Sequence, residues 1–114
     1  MAVELRGLTD NARKTAISEL NGRLADSIAL ALAVKQAHWN VKGRNFIAVH
    51  ELLDMLHNNL REQIDVMAER VQQLDGVALG TVEKVSGSTT LAEYPTDLTK
   101  AEDHIRALCD RYRD

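Results

Sequence analysis

The sequence predicts an all-α fold, in which one domain, residues 1–114, forms a bundle of helices. With only one proline, the chain has long stretches that contain no helix breaker. Apolar residues recur at steps of three and four, the spacing of a stripe buried along one side of a helix. The composition is 45% hydrophobic and only 4% aromatic, so the core is expected to be aliphatic.

The first helix is predicted to begin at Thr9 or Asp10, either of which can cap it, and to run to about Asn40. Residues 28–34 are apolar on every side, which indicates neighbours on two faces. Gly43 ends this pattern. The buried stripe of this helix is expected to comprise Ile17, Leu20, Leu24, Ile28 and Ala31.

The second helix is predicted to run from about Asn45 to Leu74, with Gly76 just beyond its end. The spacing of its apolar residues is typical of packed antiparallel helices. Its core stripe is expected to comprise Phe46, Val49, Leu53, Leu56, Leu60, Ile64, Met67, Val71 and Leu74.

Residues 76–95 are predicted to form a long connection, in which residues 91–94 make a short helical turn. Thr99 and Glu102 have the spacing of a capping box that opens a third helix. This helix reaches Asp114, and its apolar residues are Ile105, Leu108 and Tyr112.

Charge, cysteine usage and hydropathy exclude several classes of protein. A formal charge of -3 gives no electrostatic attraction to nucleic acid. Cys109 is the only cysteine, so no disulfide forms within one chain, which suits a reducing compartment. Residues 1–10 lack the apolar run of a secretory signal, and the apolar run at residues 28–34 is too short to span a bilayer. The expected location is the cytoplasm.

Five potential metal ligands stand out, four of them in helical pairs. His50 and Asp54 are four residues apart, as are Asp65 and Glu69, so each pair can present its ligands side by side. His38 lies in the last turn of the first helix, near His50 across the connecting turn. Imidazole and carboxylate together suit iron, manganese or zinc.

The two pairs cannot meet within one helix. At roughly 100° per residue they lie at roughly 40° to 140°, on a face separate from the core stripe, which centres near roughly 320°. Asp54 and Asp65 are separated by about 16 Å of helical rise, which no single ion spans. The missing half of each site is therefore expected from another subunit.

A second copy of the same helix, packed antiparallel, would bring the pairs together. A two-fold axis between residues 59 and 60 sets His50 against the partner's Glu69, and Asp54 against the partner's Asp65. Two equivalent sites result. Each draws three ligands from one chain and two from the other, enough for one or two iron ions.

The same residues also fit simpler roles. The two pairs match ordinary polar spacing on a helix surface, which would make the chain a helical oligomerisation domain with a polar interface. Trp39, beside His38, can be a packing residue. His57 and His104 are expected to be structural or solvated.

Three segments carry a specific resemblance to a known family. Residues 35–40 (KQAHWN), 45–51 (NFIAVHE) and 67–70 (MAER) resemble signature segments of the Dps family, bacterial mini-ferritins named for DNA protection in starved cells. Residues 76–81 (GVALGT) and 94–95 (YP) are similar to its next segments. The resemblance extends from about Leu8 to Tyr112.

The resemblance implies a ferritin-like four-helix bundle and a hollow dodecamer with ferroxidase sites at two-fold interfaces. It implies oxidation of Fe(II), preferably by hydrogen peroxide, storage of the ferric mineral and protection of DNA from oxidative damage. Trp39 matches a tryptophan beside the site and is expected to support the chemistry. The residues that match the family's iron ligands are His38, His50, Asp54, Asp65 and Glu69.

The chain departs from the family at both ends. The family continues past Asp114, so the end of helix 3 and helix 4 are expected to be absent from this chain. Members that bind DNA directly often have a lysine-rich N-terminal tail, whereas Arg6, Arg13 and Lys14 against Glu4 and Asp10 leave a charge of only +1 here. The alternative function, a nucleoid-associated DNA-binding structural protein, lacks that feature.

Overall fold

The computed structural model describes residues 8–113, and the expectations for residues 1–7 and Asp114 lie outside it. Four helices follow one another: α1 (Asp10–Asn40), α2 (Phe46–Gln73), α3 (Val82–Ser88) and α4 (Ala101–Arg113). Outside the helices, Lys42 and Lys100 form one isolated parallel bridge. The all-α prediction is confirmed. None of the helices in this range is long and apolar enough to cross a membrane.

Helix α1 begins where its capping residue predicts. The Thr9 hydroxyl accepts a hydrogen bond from the Ala12 N–H at 3.1 Å, which satisfies one of the unpaired donors of the first turn. Asp10 then pairs with Arg13 at 3.0 Å and Lys14 at 3.2 Å. The helix ends at Asn40, because Val41 is extended and buried.

Helices α1 and α2 form an antiparallel hairpin. Gly43, at a φ of +97°, supplies the left-handed backbone that reverses the chain. Contacts then run in opposite order along the two helices. His38 meets His50, Lys35 meets Asp54, and Arg13 donates to the Leu74 carbonyl at 3.0 Å.

The core lies between α1, α2 and α4 and is largely aliphatic, as predicted. Phe46 differs from the prediction, since it is 37% exposed. It is the first residue of α2, directly after the turn, and its N–H donates to the Gly43 carbonyl at 3.2 Å. Leu32 is also exposed, so residues 28–34 are not covered on both sides in this chain. The core cluster contains Ala31, Ala33, Val34, Ala37, Val41, Val49, Leu53, Leu60, Tyr94 and Leu108.

The connection between α2 and α4 differs from the prediction. The helical segment is α3, which Thr81 caps by accepting from the Lys84 N–H at 3.3 Å. Residues 91–94, predicted as a helical turn, are not helical. Residues 89–90, just before this segment, are held by the Asp26 carboxylate. It accepts hydrogen bonds from the Thr89 hydroxyl and from the Thr90 N–H and hydroxyl.

Helix α4 begins one residue later than the capping box predicts. The Thr99 carbonyl accepts from the Lys42 N–H at 2.8 Å, and Lys100 pairs with Lys42 outside the helix. The buried face of α4 is formed by His104 and Leu108, four residues apart. The predicted apolar residues Ile105 and Tyr112 are exposed, although Tyr112 continues the four-residue spacing of this face.

Candidate metal centre

Two histidines from different helices are brought into contact where α1 and α2 meet at the turn. The imidazole rings of His38 and His50 stack with centroids 3.6 Å apart and an interplanar angle of 19°. His38 is buried, whereas His50 is partly exposed. The Phe46 ring lies beside His50, with centroids 5.2 Å apart. The sequence prediction that His38 and His50 lie close together across the turn is confirmed.

Reciprocal hydrogen bonds fix the orientation of both rings. His38 Nδ1 lies 2.6 Å from the His50 carbonyl oxygen, and His50 Nδ1 lies 2.8 Å from the His38 carbonyl oxygen. Because a carbonyl only accepts, each Nδ1 carries the proton and donates it. In the neutral ring, each Nε2 therefore carries the lone pair. Metal-binding histidines typically have this arrangement, in which a backbone carbonyl holds the other ring nitrogen.

Asp54 follows His50 by one turn of α2. Its Oδ1 accepts a hydrogen bond from the Lys35 Nζ at 2.7 Å. This hydrogen bond holds the pKa of Asp54 below its ordinary value against the opposing effect of desolvation, and the positive charge of Lys35 lowers it further. The carboxylate is thus ionised at neutral pH.

The other predicted ligands do not reach this cluster. Asp65 and Glu69 are exposed further along α2, and Asp65 is about 16 Å of helical rise beyond Asp54. Across residues 8–113, no three histidine, cysteine or acidic side chains gather closely enough to hold a metal ion. The single chain thus brings His38 and His50 together, with Asp54 nearby, and leaves the second pair apart.

Trp39 is 65% exposed, so it does not act as a core residue within this chain. Leu32, seven residues earlier on the same face of α1, is 60% exposed. His57, expected to be structural or solvated, is partly exposed, and desolvation together with the charges of Lys35 and Arg61 lowers its pKa.

Sequence reasoning assigned no role to two polar features, Lys35 and the pair Tyr94–His104. Lys35 precedes His38 by one helical turn, the only sequence signal for its position. The Tyr94 hydroxyl lies 2.6 Å from His104 Nδ1, and His104 Nε2 lies 3.1 Å from the Leu98 carbonyl. His104 is 1% exposed, which fits the structural role expected for it. No periodicity in the sequence links His104 to Tyr94.

Comparison with known proteins defines the class. A family model described as a ferritin-like domain matches residues 17–114. The chain therefore belongs to the ferritin-like family, and the predicted ferritin-like fold is confirmed.

Within that family the chain belongs to the Dps proteins. It is 54% identical over 105 residues to the DNA protection during starvation protein of Agrobacterium fabrum, a match that covers 92% of this chain and 65% of the relative. The Mycobacterium smegmatis Dps structure superposes with a TM-score of 0.93 at 30% identity, covering 99% of this chain and 68% of the other.

A third comparison describes the fold more broadly. The Dps structure of Vibrio cholerae O1, described as a member of a broad superfamily of ferritin-like diiron-carboxylate proteins, gives a TM-score of 0.90 at 23% identity. It covers 99% of this chain and 70% of that chain. The present chain thus spans roughly two thirds of the length of these relatives.

Proposed function

We propose that the chain carries one half of a ferroxidase site, at which Fe(II) is bound as substrate and oxidised. The observation that carries this proposal is the stacked pair of His38 and His50 with both Nδ1 atoms tied to backbone carbonyls. Two oriented Nε2 lone pairs, together with an ionised Asp54 one helical turn after His50, offer donors that suit iron. The description of the Vibrio cholerae protein as a diiron-carboxylate protein supports iron as the metal.

The second half of the site comes, in this proposal, from a two-fold related copy. Asp65 and Glu69 are exposed on α2, where a partner can reach them. The exposed Leu32 and Trp39 on one face of α1 also favour a subunit interface, since apolar surface of this kind is covered in oligomers. Each site holds one or two iron ions, and Trp39 lies next to it in a supporting role.

The proposed reaction couples two metal ions to one oxidant. Two Fe(II) ions each give up one electron to hydrogen peroxide, whose O–O bond breaks, and two protons complete two water molecules. Because both electrons arrive together, no hydroxyl radical is released. The protein contributes ligands of fixed orientation and a carboxylate charge that favours Fe(III) over Fe(II).

The wider biology is proposed from the relatives. The ferric product is stored inside a hollow dodecamer of the whole protein in the cytoplasm, and removal of iron and peroxide protects DNA. The Agrobacterium fabrum relative is named for DNA protection during starvation, which supports this role. Chemical protection is favoured over tight DNA binding because residues 1–14 carry little net charge.

Replacement of one histidine tests the proposal. His50→Ala removes one oriented Nε2, and we expect the rate of peroxide-driven Fe(II) oxidation to fall by about a hundredfold, the order of loss for a key site group. The control is Glu19→Gln, which removes an exposed carboxylate from the N-terminal part of α1 and should oxidise iron as the wild type does. A wild-type rate from His50→Ala with intact helical content would refute the assignment.

A DNA mobility-shift assay tests the alternative, a nucleoid-associated structural protein. Binding that persists at physiological salt, together with no ferroxidase activity, would favour that alternative. We expect weak binding that salt abolishes.

A further inference from the structure

The His50 imidazole has an aromatic neighbour on its own helix as well as on α1. Phe46 precedes His50 by four residues, so the two side chains lie on the same face of α2. Their ring centroids are 5.2 Å apart, with an interplanar angle of 36°. His38 stacks on the same imidazole with a centroid distance of 3.6 Å. Rings from two helices therefore contact His50.

The hydrogen bond to the backbone leaves one rotation of the His50 ring open. His50 Nδ1 lies 2.8 Å from the His38 carbonyl oxygen, which fixes the direction of the N–H bond. One hydrogen bond does not fix the plane of the ring, because a carbonyl oxygen accepts over a broad range of directions. Contacts between rings do restrict the plane, since aromatic pairs prefer tilted or offset arrangements.

The two histidines differ in how firmly the rest of the chain holds them. His38 is 9% exposed, whereas His50 is partly exposed. His50 therefore depends more on its immediate neighbours for its orientation. Phe46 is 37% exposed, too much for a core residue, yet its ring contacts His50. An aromatic side chain placed in this way points to a role at His50.

We propose that Phe46 is a positioning residue for His50, whose imidazole plane it holds so that Nε2 presents its lone pair to iron in a fixed direction. The inference rests on the proposed function, in which His50 binds Fe(II). The Phe46 ring has no donor atom and is no ligand itself. It acts only through His50, and it does so before any iron binds.

The alternative role for Phe46 is an apolar cover over the turn between α1 and α2. Leucine is apolar and could serve as such a cover, but it has no flat ring against which an imidazole can pack. A simple cover predicts that Phe46→Leu keeps the orientation of His50 and the iron chemistry. The positioning role predicts that only another aromatic ring keeps them.

The first test compares Phe46→Leu with Phe46→Tyr in the metal-free chain. Nitrogen NMR at about pH 8, where imidazole is neutral, reports which ring nitrogen carries the proton. In the wild type and in Phe46→Tyr, His50 should carry it on Nδ1. In Phe46→Leu the signals should move towards a mixture of both tautomers. His104 Nε2 donates to the Leu98 carbonyl at 3.1 Å, and its signals should stay unchanged as an internal reference.

The second test measures Fe(II) oxidation by the same variants. Loss of a group that orients a metal ligand weakens metal binding roughly ten- to a hundredfold. Because the hydrogen bond and the His38 stack remain, we expect the lower value. Half-maximal rate should need about tenfold more Fe(II) in Phe46→Leu, with a smaller change at saturating iron, and a wild-type concentration in Phe46→Tyr. Met55→Leu changes another exposed apolar side chain of α2 and should behave as the wild type in both tests.

The outcomes separate this inference from the proposed function. Equal results for Phe46→Leu and Phe46→Tyr would overturn the positioning role, because the ring would then not matter. A changed His50 tautomer with an unchanged dependence on Fe(II) would overturn it as well. In both cases, iron oxidation by the wild type would leave the proposed function standing. No iron oxidation by the wild type would overturn the proposed function and the role of Phe46 in iron binding with it.

Discussion

Histidine is used in opposite ways at two places in the described chain. Where α1 meets α2, His38 and His50 each donate Nδ1–H to a backbone carbonyl and keep a lone pair on Nε2. In α4, His104 donates Nε2–H to the Leu98 carbonyl, and its Nδ1 accepts from the Tyr94 hydroxyl. The first pair can still bind a ligand, whereas both ring nitrogens of His104 are already used within the chain.

This difference separates a binding role from a structural one. The Arg111 guanidinium lies 5.0 Å from the centre of the Tyr94 ring and further covers the hydrogen-bonded pair of Tyr94 and His104. Desolvation raises the pKa of Tyr94 to about 12 and lowers the pKa of His104. Both groups are therefore neutral at pH 7, as a buried hydrogen-bonded pair requires. Substitutions at the two places should consequently affect different properties.

The largest expected effect on stability comes from His104→Ala. The substitution leaves a cavity and removes the partners of the Tyr94 hydroxyl and the Leu98 carbonyl, so the free energy of unfolding should fall by about 3 kcal/mol. His50→Ala should lower it by about 1 kcal/mol, because His50 is only partly buried. Urea denaturation compares the two. Equal losses would contradict the division into structural and binding histidines.

A smaller effect is expected at the turn that brings His38 and His50 together. Gly43 has a φ of +97°, and no atom lies within 4 Å of a Cβ added there. Gly43→Ala should therefore cost about 1 kcal/mol, through backbone strain alone. The matched control is Gly22→Ala in α1, where a Cβ also meets nothing within 4 Å and helix propensity should stabilise the chain by up to about 1 kcal/mol. Thermal unfolding that shifts in the same direction for both variants would contradict a strained turn at Gly43.

The smallest expected effect is a pH dependence of the free energy of unfolding, which arises from His104 in its pair with Tyr94. The pKa of His104 is lowered in the folded chain by desolvation, which outweighs the Leu98 hydrogen bond and the charge of Asp103. The unfolded chain therefore binds the proton more readily, so stability is fully present above the unfolded pKa, about 6.5, and falls as pH drops below it. Urea denaturation between pH 8 and pH 5 measures this slope. His104→Gln should flatten it, although a residual slope remains from His57, whose pKa is lowered too. If stability depended on pH as steeply in His104→Gln as in the wild type, the assignment of this dependence to His104 would be wrong.

The sequence was most predictive where periodicity is long. Helices α1 and α2 and most of the α2 stripe follow from repeated apolar spacing, and the nearness of His38 to His50 follows from the short turn between them. Helix α3 was missed because its 7 residues are too few for periodicity to identify. The Lys35–Asp54 ion pair depends on how α1 and α2 are rotated against each other. The Tyr94–His104 bond depends on the path of the preceding loop. Neither leaves a pattern in the sequence.

The central claim is that each metal site draws His50 from one chain and Asp65 from its two-fold partner. The most direct measurement is complementation between His50→Ala and Asp65→Asn. Each variant alone lacks a ligand at both sites of a dimer and should oxidise Fe(II) slowly. Co-expressed chains also form mixed dimers, in which one site has all five ligands and the other lacks two. We therefore expect the mixture to recover a substantial fraction of wild-type activity, up to half of the sites in each mixed dimer. Activity no higher than the average of the two variants, in chains shown to form mixed dimers, would contradict a site shared between subunits.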